Sequence, residues 1–187
     1  MNEPKQSKIG VDVLMLIFLA VGIAVGAALS LNLNLSGLGG SLALNSMETN
    51  ADWQRNFILG FISPAAFVTA AFLMGFCAVS QPFELLLVGF RGLGLGVLAR
   101  NIYSCDDILS GLILFLPGAV ISCGILILQS CRAVQMSTRY LLISVTSENR
   151  IGLAKEFRDY IFWFIVSLFC CALLSAAEIA IRLLILR

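Results

Sequence analysis

Glu84 and Arg91 are the two side chains whose types and spacing suggest chemistry inside a membrane. They carry opposite charges within QPFELLLVGFRGLGLGVLARN, an otherwise apolar stretch at 81–101. A carboxyl group can transfer a proton, and a guanidinium group can bind a carboxylate or a phosphate. The stretch is about long enough to cross a bilayer, where a central arginine costs about 2.5–3.5 kcal/mol. We therefore expect Arg91 to face other helices or a wet cavity.

Two carboxylates are candidate partners for Arg91. Glu84 is favoured, because its spacing from Arg91 puts both side chains on one helical face and helical side chains lean toward the N-terminus. Glu178 is the rival. Its predicted depth is nearer the outer face, where Arg182 follows it by one helical turn and can pair with it locally.

The sequence contains no recognisable catalytic constellation. Histidine is absent, which removes the commonest general base and metal ligand and excludes a Ser–His or Cys–His nucleophile. Asp106 and Asp107 are adjacent and are interpreted as solvated turn residues. The six cysteines form no CxxC pair, and most are expected to pack as small apolar residues. We therefore predict that the protein is not an enzyme and holds no cofactor or metal.

The composition is typical of an integral membrane protein. Hydrophobic residues make up 59% of the chain and charged residues 12%, whereas soluble domains carry about 25% charged residues. The mean hydropathy is +0.97. The net charge of +1 gives no bulk attraction to nucleic acid. The predicted environment is a lipid bilayer.

The apolar runs predict an all-α fold: one membrane domain over residues 1–187, built as a polytopic bundle of about five transmembrane helices. Strands are excluded because the runs lack period-two alternation. Each run is near the ~20 residues that a helix needs to cross. The runs lie at about 9–31, 57–79, 82–98, 108–128 and 160–184. The longer connections are a loop at 32–56 and a basic loop at 129–159.

The distribution of basic residues predicts that the N-terminus lies inside the cell. Cytoplasmic segments carry an excess of lysine and arginine. With the N-terminus inside, the loop at 32–56 is outside and the basic loop at 129–159 is inside. The end of the basic loop has apolar residues at helical spacing, which suggests an interfacial helix before the last span. The inner segments then hold Lys5, Lys8, Arg132, Arg139, Arg150, Lys155 and Arg158.

Glycines predict where helices approach each other. Gly92 and Gly96 form a GxxxG pair, and Gly89 precedes them by one turn. Gly22 and Gly26 form a second such pair in the first span. Small residues let helix backbones come close in lipid, where no hydrophobic effect drives helices together. We expect the third span to pack tightly against a neighbour, and a homo-oligomer also stays open.

Residues 53–130 resemble the stage II sporulation protein M family. The resemblance lies in the order of four features: the span WQRNFILGFISPAAFVTAAFLMGF, a tight turn, the stretch QPFELLLVGFRGLGLG, and a later span that contains LFLPG. The third span of that family is similar, a proline-led apolar helix with a central basic residue before a glycine-rich element. The family's protein is the membrane subunit of the engulfment complex of endospore-forming bacteria.

The resemblance implies a non-enzymatic scaffold in the cell membrane, at the septal or engulfing membrane of a sporulating cell. Its partners would be the membrane-anchored peptidoglycan hydrolases of that complex, the stage II sporulation proteins D and P. The outer loop has the reach to meet them, so we expect Leu33, Leu35 and Leu38 to form part of a docking surface. These leucines could instead fold back onto the rim of the bundle.

Two other functions stay open. One is a small membrane transporter, or the substrate-binding subunit of an energy-coupling transporter, although such subunits usually have six spans. The other is an enzyme that acts on lipid-linked substrates, with Arg91 binding a phosphate.

The predicted orientation can be tested with the cysteines. Cys105 follows the third span and should lie outside, whereas Cys131 should lie at the inner face. An impermeant thiol reagent applied to wall-stripped cells is expected to label Cys105 and to leave Cys131 unmodified. Labelling of Cys131 without Cys105 would reverse the orientation.

Overall fold

The chain is built from α-helices wherever its structure is described. The computed structural model describes residues 6–32, 53–77, 79–103, 108–146 and 153–185, and no strand occurs in them. The helices are α1 (Gln6–Asn32), α2 (Trp53–Met74), α3 (Gln81–Tyr103), α4 (Ile108–Thr146) and α5 (Leu153–Ile185). The predicted all-α bundle is confirmed.

Four of these helices are long and apolar enough to cross a membrane. Their candidate spans are Gly10–Ser30, Gln81–Arg100, Pro117–Ile143 and Lys155–Ile181. The apolar stretch of α2 is shorter, at Gly60–Met74. The span predicted at 57–79 therefore ends earlier than expected, because the chain turns after Met74 to enter α3.

The connection between α4 and α5 is much shorter than the basic loop predicted at 129–159. α4 continues to Thr146, and α5 begins at Leu153. α4 continues because its residues keep meeting the bundle beyond Leu128. Its buried side chains in this part include Cys131, Val134 and Ser137, which recur at the spacing of one helical turn.

α4 is the central helix, and α2, α3 and α5 all pack against it. In its candidate membrane span, 56% of the most apolar stretch is buried inside the bundle, compared with 17% in the spans of α1 and α5. Arg91 of α3 contacts Ser122, whereas Cys77, just before α3, contacts Ser137. α3 and α4 therefore run antiparallel.

The remaining contacts show that the helices alternate in direction along the chain. Ser167 contacts Gln129 while Glu178, farther along α5, approaches Gly118, so α5 is antiparallel to α4. On α2, Ala71 packs with Leu126 and Gly75 lies against Ala133, so α2 is parallel to α4. This alternation is what successive crossings of one membrane require.

α1 lies directly on α3 because glycines leave room for the opposing backbone. A Cβ atom at Gly22 would run into the carbonyl group of Gly89, and one at Gly26 would run into that of Leu93. The residue numbers on both helices increase from the first contact to the second, so the two helices are parallel. The first predicted glycine pair therefore forms half of this contact.

The second glycine pair forms the other half. A Cβ atom at Gly92 would meet the carbonyl oxygen of Leu19 at 2.5 Å, and one at Gly96 would run into the backbone of Ile23. Gly89 differs, because a Cβ atom there would lie 3.7 Å from its nearest neighbour, an ordinary contact. Close packing of the third span against a neighbour is thus confirmed.

The outer faces of the bundle are apolar, as a bilayer environment requires. On α1, Leu16 is 53% exposed and Val21 is 55% exposed. On α5, Phe162 and Phe169 are similarly exposed. Side chains of this size are usually buried in proteins that are surrounded by water.

The structure changes the choice of cysteine for testing the orientation. Cys105 lies outside the described residues. Cys131 is buried, and its thiol donates a hydrogen bond to Asp12, so the bundle would shield it on either side of the membrane. Cys77 is exposed in the turn between α2 and α3. With the predicted orientation, Cys77 is expected to react with an impermeant reagent only after the membrane is permeabilised.

The α1–α3 contact predicts a sharp difference between two alanine substitutions. Gly26→Ala would place a methyl group against the backbone of Leu93, so we expect it to destabilise the protein by about 1–3 kcal/mol. Gly124→Ala is the control, because a Cβ atom there has nothing within 4 Å and alanine favours the helix. Thermal unfolding in lipid nanodiscs measures both. Equal stability of the two variants would contradict the close approach.

Candidate functional site

Arg91 lies inside the bundle, as predicted, with 2% of its surface exposed. Its Nη2 donates to the hydroxyl oxygen of Ser122 at 2.9 Å, and its Nη1 donates to that of Ser63 at 3.4 Å. The guanidinium carbon also lies 5.2 Å from the centre of the Phe67 ring, within cation–π range. One side chain of α3 thus holds both α2 and α4.

The two serines were not predicted as partners. The Ser122 hydroxyl donates to the carbonyl of Ala119 at 2.8 Å, which leaves its oxygen lone pairs free to accept from Arg91. A serine in an apolar span can satisfy its own proton on the preceding helical turn in this way. The available signal was the presence of Ser63 and Ser122 in otherwise apolar runs.

Glu178 approaches the same region from α5. A Cβ atom at Gly118 would run into its carboxylate, and one at Gly60 would lie 3.9 Å from Glu178 Oε2. Gly118 precedes Ser122 by one turn of α4, and Gly60 precedes Ser63 by one turn of α2. On both α2 and α4, the Glu178 carboxylate therefore lies about one helical turn from the serine that accepts a hydrogen bond from Arg91. The predicted position of Glu178, near the outer face and beside Arg182, did not anticipate this approach.

Glu84 does not form the predicted hydrogen-bonded pair with Arg91. Its side chain is fully buried, and neither of its carboxylate oxygens has a hydrogen-bond partner. The pairing fails because Arg91 finds acceptors at its own depth, on Ser63 and Ser122. The two charges share a helix face but lie at separate levels, about 10 Å apart along the axis.

Glu84 instead belongs to a second buried polar group. The hydroxyl of Ser130 lies beside its carboxyl group, and Tyr160 of α5 lies within electrostatic range. Ser80 and Gln129 are buried in the same part of the bundle. The sequence signal for this group was weak, because each helix supplies only one or two polar residues.

Asp12 is a further intramembrane carboxylate that the sequence analysis missed. It lies in the candidate span of α1, and it accepts a hydrogen bond from the thiol of Cys131 at 2.8 Å. Cys131 also contacts the sulfur of Met15. This contact ties the start of α1 to α4.

Of the remaining predicted site residues, Gly92 and Gly96 form the contact with α1 described above. Leu33, Leu35 and Leu38 are outside the described residues, so their role in docking stays a prediction. Within the described ranges, no group of three or more His, Cys, Asp or Glu side chains could hold a metal ion.

Comparison with known proteins found no match for this chain among family models, curated proteins or solved structures. The resemblance of residues 53–130 to the stage II sporulation protein M family therefore stays a hypothesis.

The position of Glu178 predicts that it, and not Glu84, compensates the charge of Arg91. Glu178→Gln is expected to destabilise the protein by about 3–5 kcal/mol, because it leaves the buried charge of Arg91 behind, and Arg91→Met is expected to destabilise it less, because Glu178 is only partly buried. The double variant should recover much of that loss. Unfolding in nanodiscs measures the coupling. Recovery on combining Arg91→Met with Glu84→Gln instead would restore the pairing predicted from sequence.

Proposed function

We propose that this protein is a non-enzymatic membrane scaffold that anchors peptidoglycan-remodelling hydrolases in the cell membrane during sporulation engulfment. The observation that carries the proposal is that α3 makes the contacts that join α1, α2 and α4. Arg91 binds α2 and α4, while Gly92 and Gly96 face the backbone of α1. The residues on which the family resemblance depends therefore hold the bundle together. A stiff bundle is what an anchor for other proteins needs.

The surroundings of Arg91 weigh against an enzyme that binds a lipid-linked phosphate. The guanidinium group is almost fully buried, and it donates to two serine hydroxyls. A phosphate would have to displace these acceptors and enter between α2, α3 and α4. The arginine is better explained as a link between helices.

Partner proteins have two kinds of surface available. Inside the bilayer, the exposed apolar faces of α1 and α5 fit lipid tails or a single transmembrane helix of a partner. Outside it, the segment at 33–52 between α1 and α2, which the distribution of basic residues predicts to lie outside the cell, has the length to reach a neighbouring domain. By resemblance, the partners are the stage II sporulation proteins D and P, and the docking surface includes Leu33, Leu35 and Leu38.

A transporter is the second candidate, and one observation favours it. Glu84 is a buried carboxyl group without a hydrogen-bond partner, and intramembrane carboxyl groups often mark ion or proton pathways. Crosslinking in the native membrane separates the two functions. A scaffold is expected to recover wall hydrolases, whereas a subunit of an energy-coupling transporter would recover an ATPase module.

The docking surface can be tested by exchanging leucines for serine in the outer loop. The combined change Leu33→Ser, Leu35→Ser and Leu38→Ser is expected to abolish co-purification of the hydrolases, because it removes the apolar contacts while leaving the spans intact. Leu42→Ser with Leu44→Ser is the matched control in the same loop. Membrane insertion and thermal stability should be unchanged in both variants.

A second pair of changes tests docking within the membrane. Gly92 and Gly96 are unsuitable for it, because larger residues there would push α1 away from α3. Leu16→Ala with Val21→Ala instead alters the exposed face of α1. If partner recovery survives the loop changes and is lost with this pair, docking takes place in the bilayer and the proposed loop surface is wrong.

A further inference from the structure

The carboxylate of Glu84 has no compensating group in the described part of the chain. Its side chain is 0% exposed, and both of its oxygens lack a hydrogen-bond partner. Removing a carboxylate from water without a partner is strongly unfavourable. Something that carries positive charge must therefore accompany Glu84.

Two further buried oxygens without partners belong to Ser80, one helical turn before Glu84, and to Ser130 of α4. Ser80 precedes α3, and its carbonyl accepts a hydrogen bond from the backbone N–H of Glu84 at 2.9 Å. The Ser80 hydroxyl does not cap the helix, and Pro82 offers it no N–H group. Ser130 of α4 lies beside the carboxyl group, and its hydroxyl is also without a partner. Both serines are buried.

The only nitrogen among these unpartnered atoms lies near Tyr160. It is Nε2 of Gln129, whose amide lies beside the hydroxyl of Tyr160. That hydroxyl donates to the carbonyl of Phe72 at 2.9 Å, so its oxygen can still accept from Gln129. Among the buried atoms without a partner, the two serine oxygens therefore remain as candidate neighbours of Glu84.

The ionisable groups around Glu84 do not supply a positive charge in the described structure. Tyr160 of α5 and Cys131 of α4 lie within electrostatic range of it, and Cys131 is hydrogen-bonded to Asp12 of α1. All three are acids. The guanidinium group of Arg132 is exposed and stacks on the ring of Trp163, with its carbon 4.6 Å from the ring centre.

We propose that Ser80, Glu84 and Ser130 form a buried binding site for one monovalent alkali cation. Hard oxygen donors suit such ions, and a single carboxylate balances a single positive charge. Calcium and magnesium sites usually rely on more ligands or more carboxylates than this cluster offers. The bound ion would connect the start of α3 to the middle of α4, so its binding should stabilise the bundle. The site does not depend on the proposed scaffold function.

The full-length protein in phosphatidylcholine nanodiscs provides the test. Thermal unfolding is followed in NaCl, KCl and LiCl, with N-methyl-D-glucamine chloride keeping the ionic strength constant. At least one alkali salt should raise the midpoint by about 3–5 °C for each tenfold increase above its dissociation constant, because it binds only the folded state. The organic cation, which is far bulkier than an alkali ion, should have no effect.

Three substitutions locate the effect. Glu84→Gln should abolish the response to alkali salts, because it removes the charge while keeping the shape. Ser130→Ala should raise the half-maximal salt concentration about tenfold, since one ligand is lost. Glu156→Gln is the control and should respond like the wild type, because Glu156 is a partly exposed carboxylate paired with Arg139 at 3.5 Å.

A chemical measurement on the wild-type protein avoids any folding defect of the variants. Dicyclohexylcarbodiimide modifies protonated carboxyl groups in apolar surroundings, and peptide mass spectrometry identifies the residue. The alkali cation and the proton compete for Glu84, so the effective salt should slow its modification, and more salt should be needed at lower pH.

Two results would overturn the proposal. One is a wild-type midpoint and modification rate that are the same in every salt between about pH 6 and pH 9, which would mean that a proton alone accompanies Glu84. The other is a salt response that persists in a folded Glu84→Gln variant, which would place the cation elsewhere.

Discussion

A guanidinium group in the middle of an apolar bundle is the constraint on which the packing of this protein depends. At the centre of a membrane helix an arginine is unfavourable by about 2.5–3.5 kcal/mol unless neighbouring groups solvate it. Arg91 meets this condition through Ser63 and Ser122, with Phe67 beneath it. Because these partners lie on α2 and α4, solvating one side chain sets the depth and rotation of three helices relative to one another.

The contact of α3 with α1 is fixed by a different force. Lipid tails are as apolar as leucine, so helices gain nothing by hiding apolar surface from them, and association depends on close packing. Gly22 and Gly26 of α1 interlock with Gly92 and Gly96 of α3 at backbone distance. α1 therefore needs no polar contact at this level, and its outer face stays available to lipid or to a partner helix.

The polar groups of the bundle lie at two levels that serve different purposes. At the level of Arg91, the hydroxyls that surround the charge come from the protein itself. At the level of Glu84, the nearby serine hydroxyls are present but make no hydrogen bonds. The two opposite charges on α3 thus do not neutralise each other. The first level joins three helices, and the second is the buried group to which we assign a cation.

Much of the architecture could be predicted from the sequence, because it depends on properties of single segments. Hydropathy and length predict apolar helices, since backbone in lipid must satisfy its own hydrogen bonds. The cost of a charge in lipid predicts that Arg91 is buried, and the spacing of small residues predicts close helix contacts. Predictions that depended on polarity alone were less accurate. The basic residues of 129–159 predicted a loop, but α4 remains helical to Thr146.

Which side chains contact Arg91 and Asp12 was decided only by the tertiary structure. Arg91 and Glu84 are close in sequence and share a helix face, yet Arg91 bonds to serines 28 and 31 residues away. Asp12 meets a thiol 119 residues away. Which polar groups meet depends on the rotation and depth of each helix relative to its neighbours. These are set by packing across the whole bundle, through contacts such as those of the glycines, and no single segment contains that information.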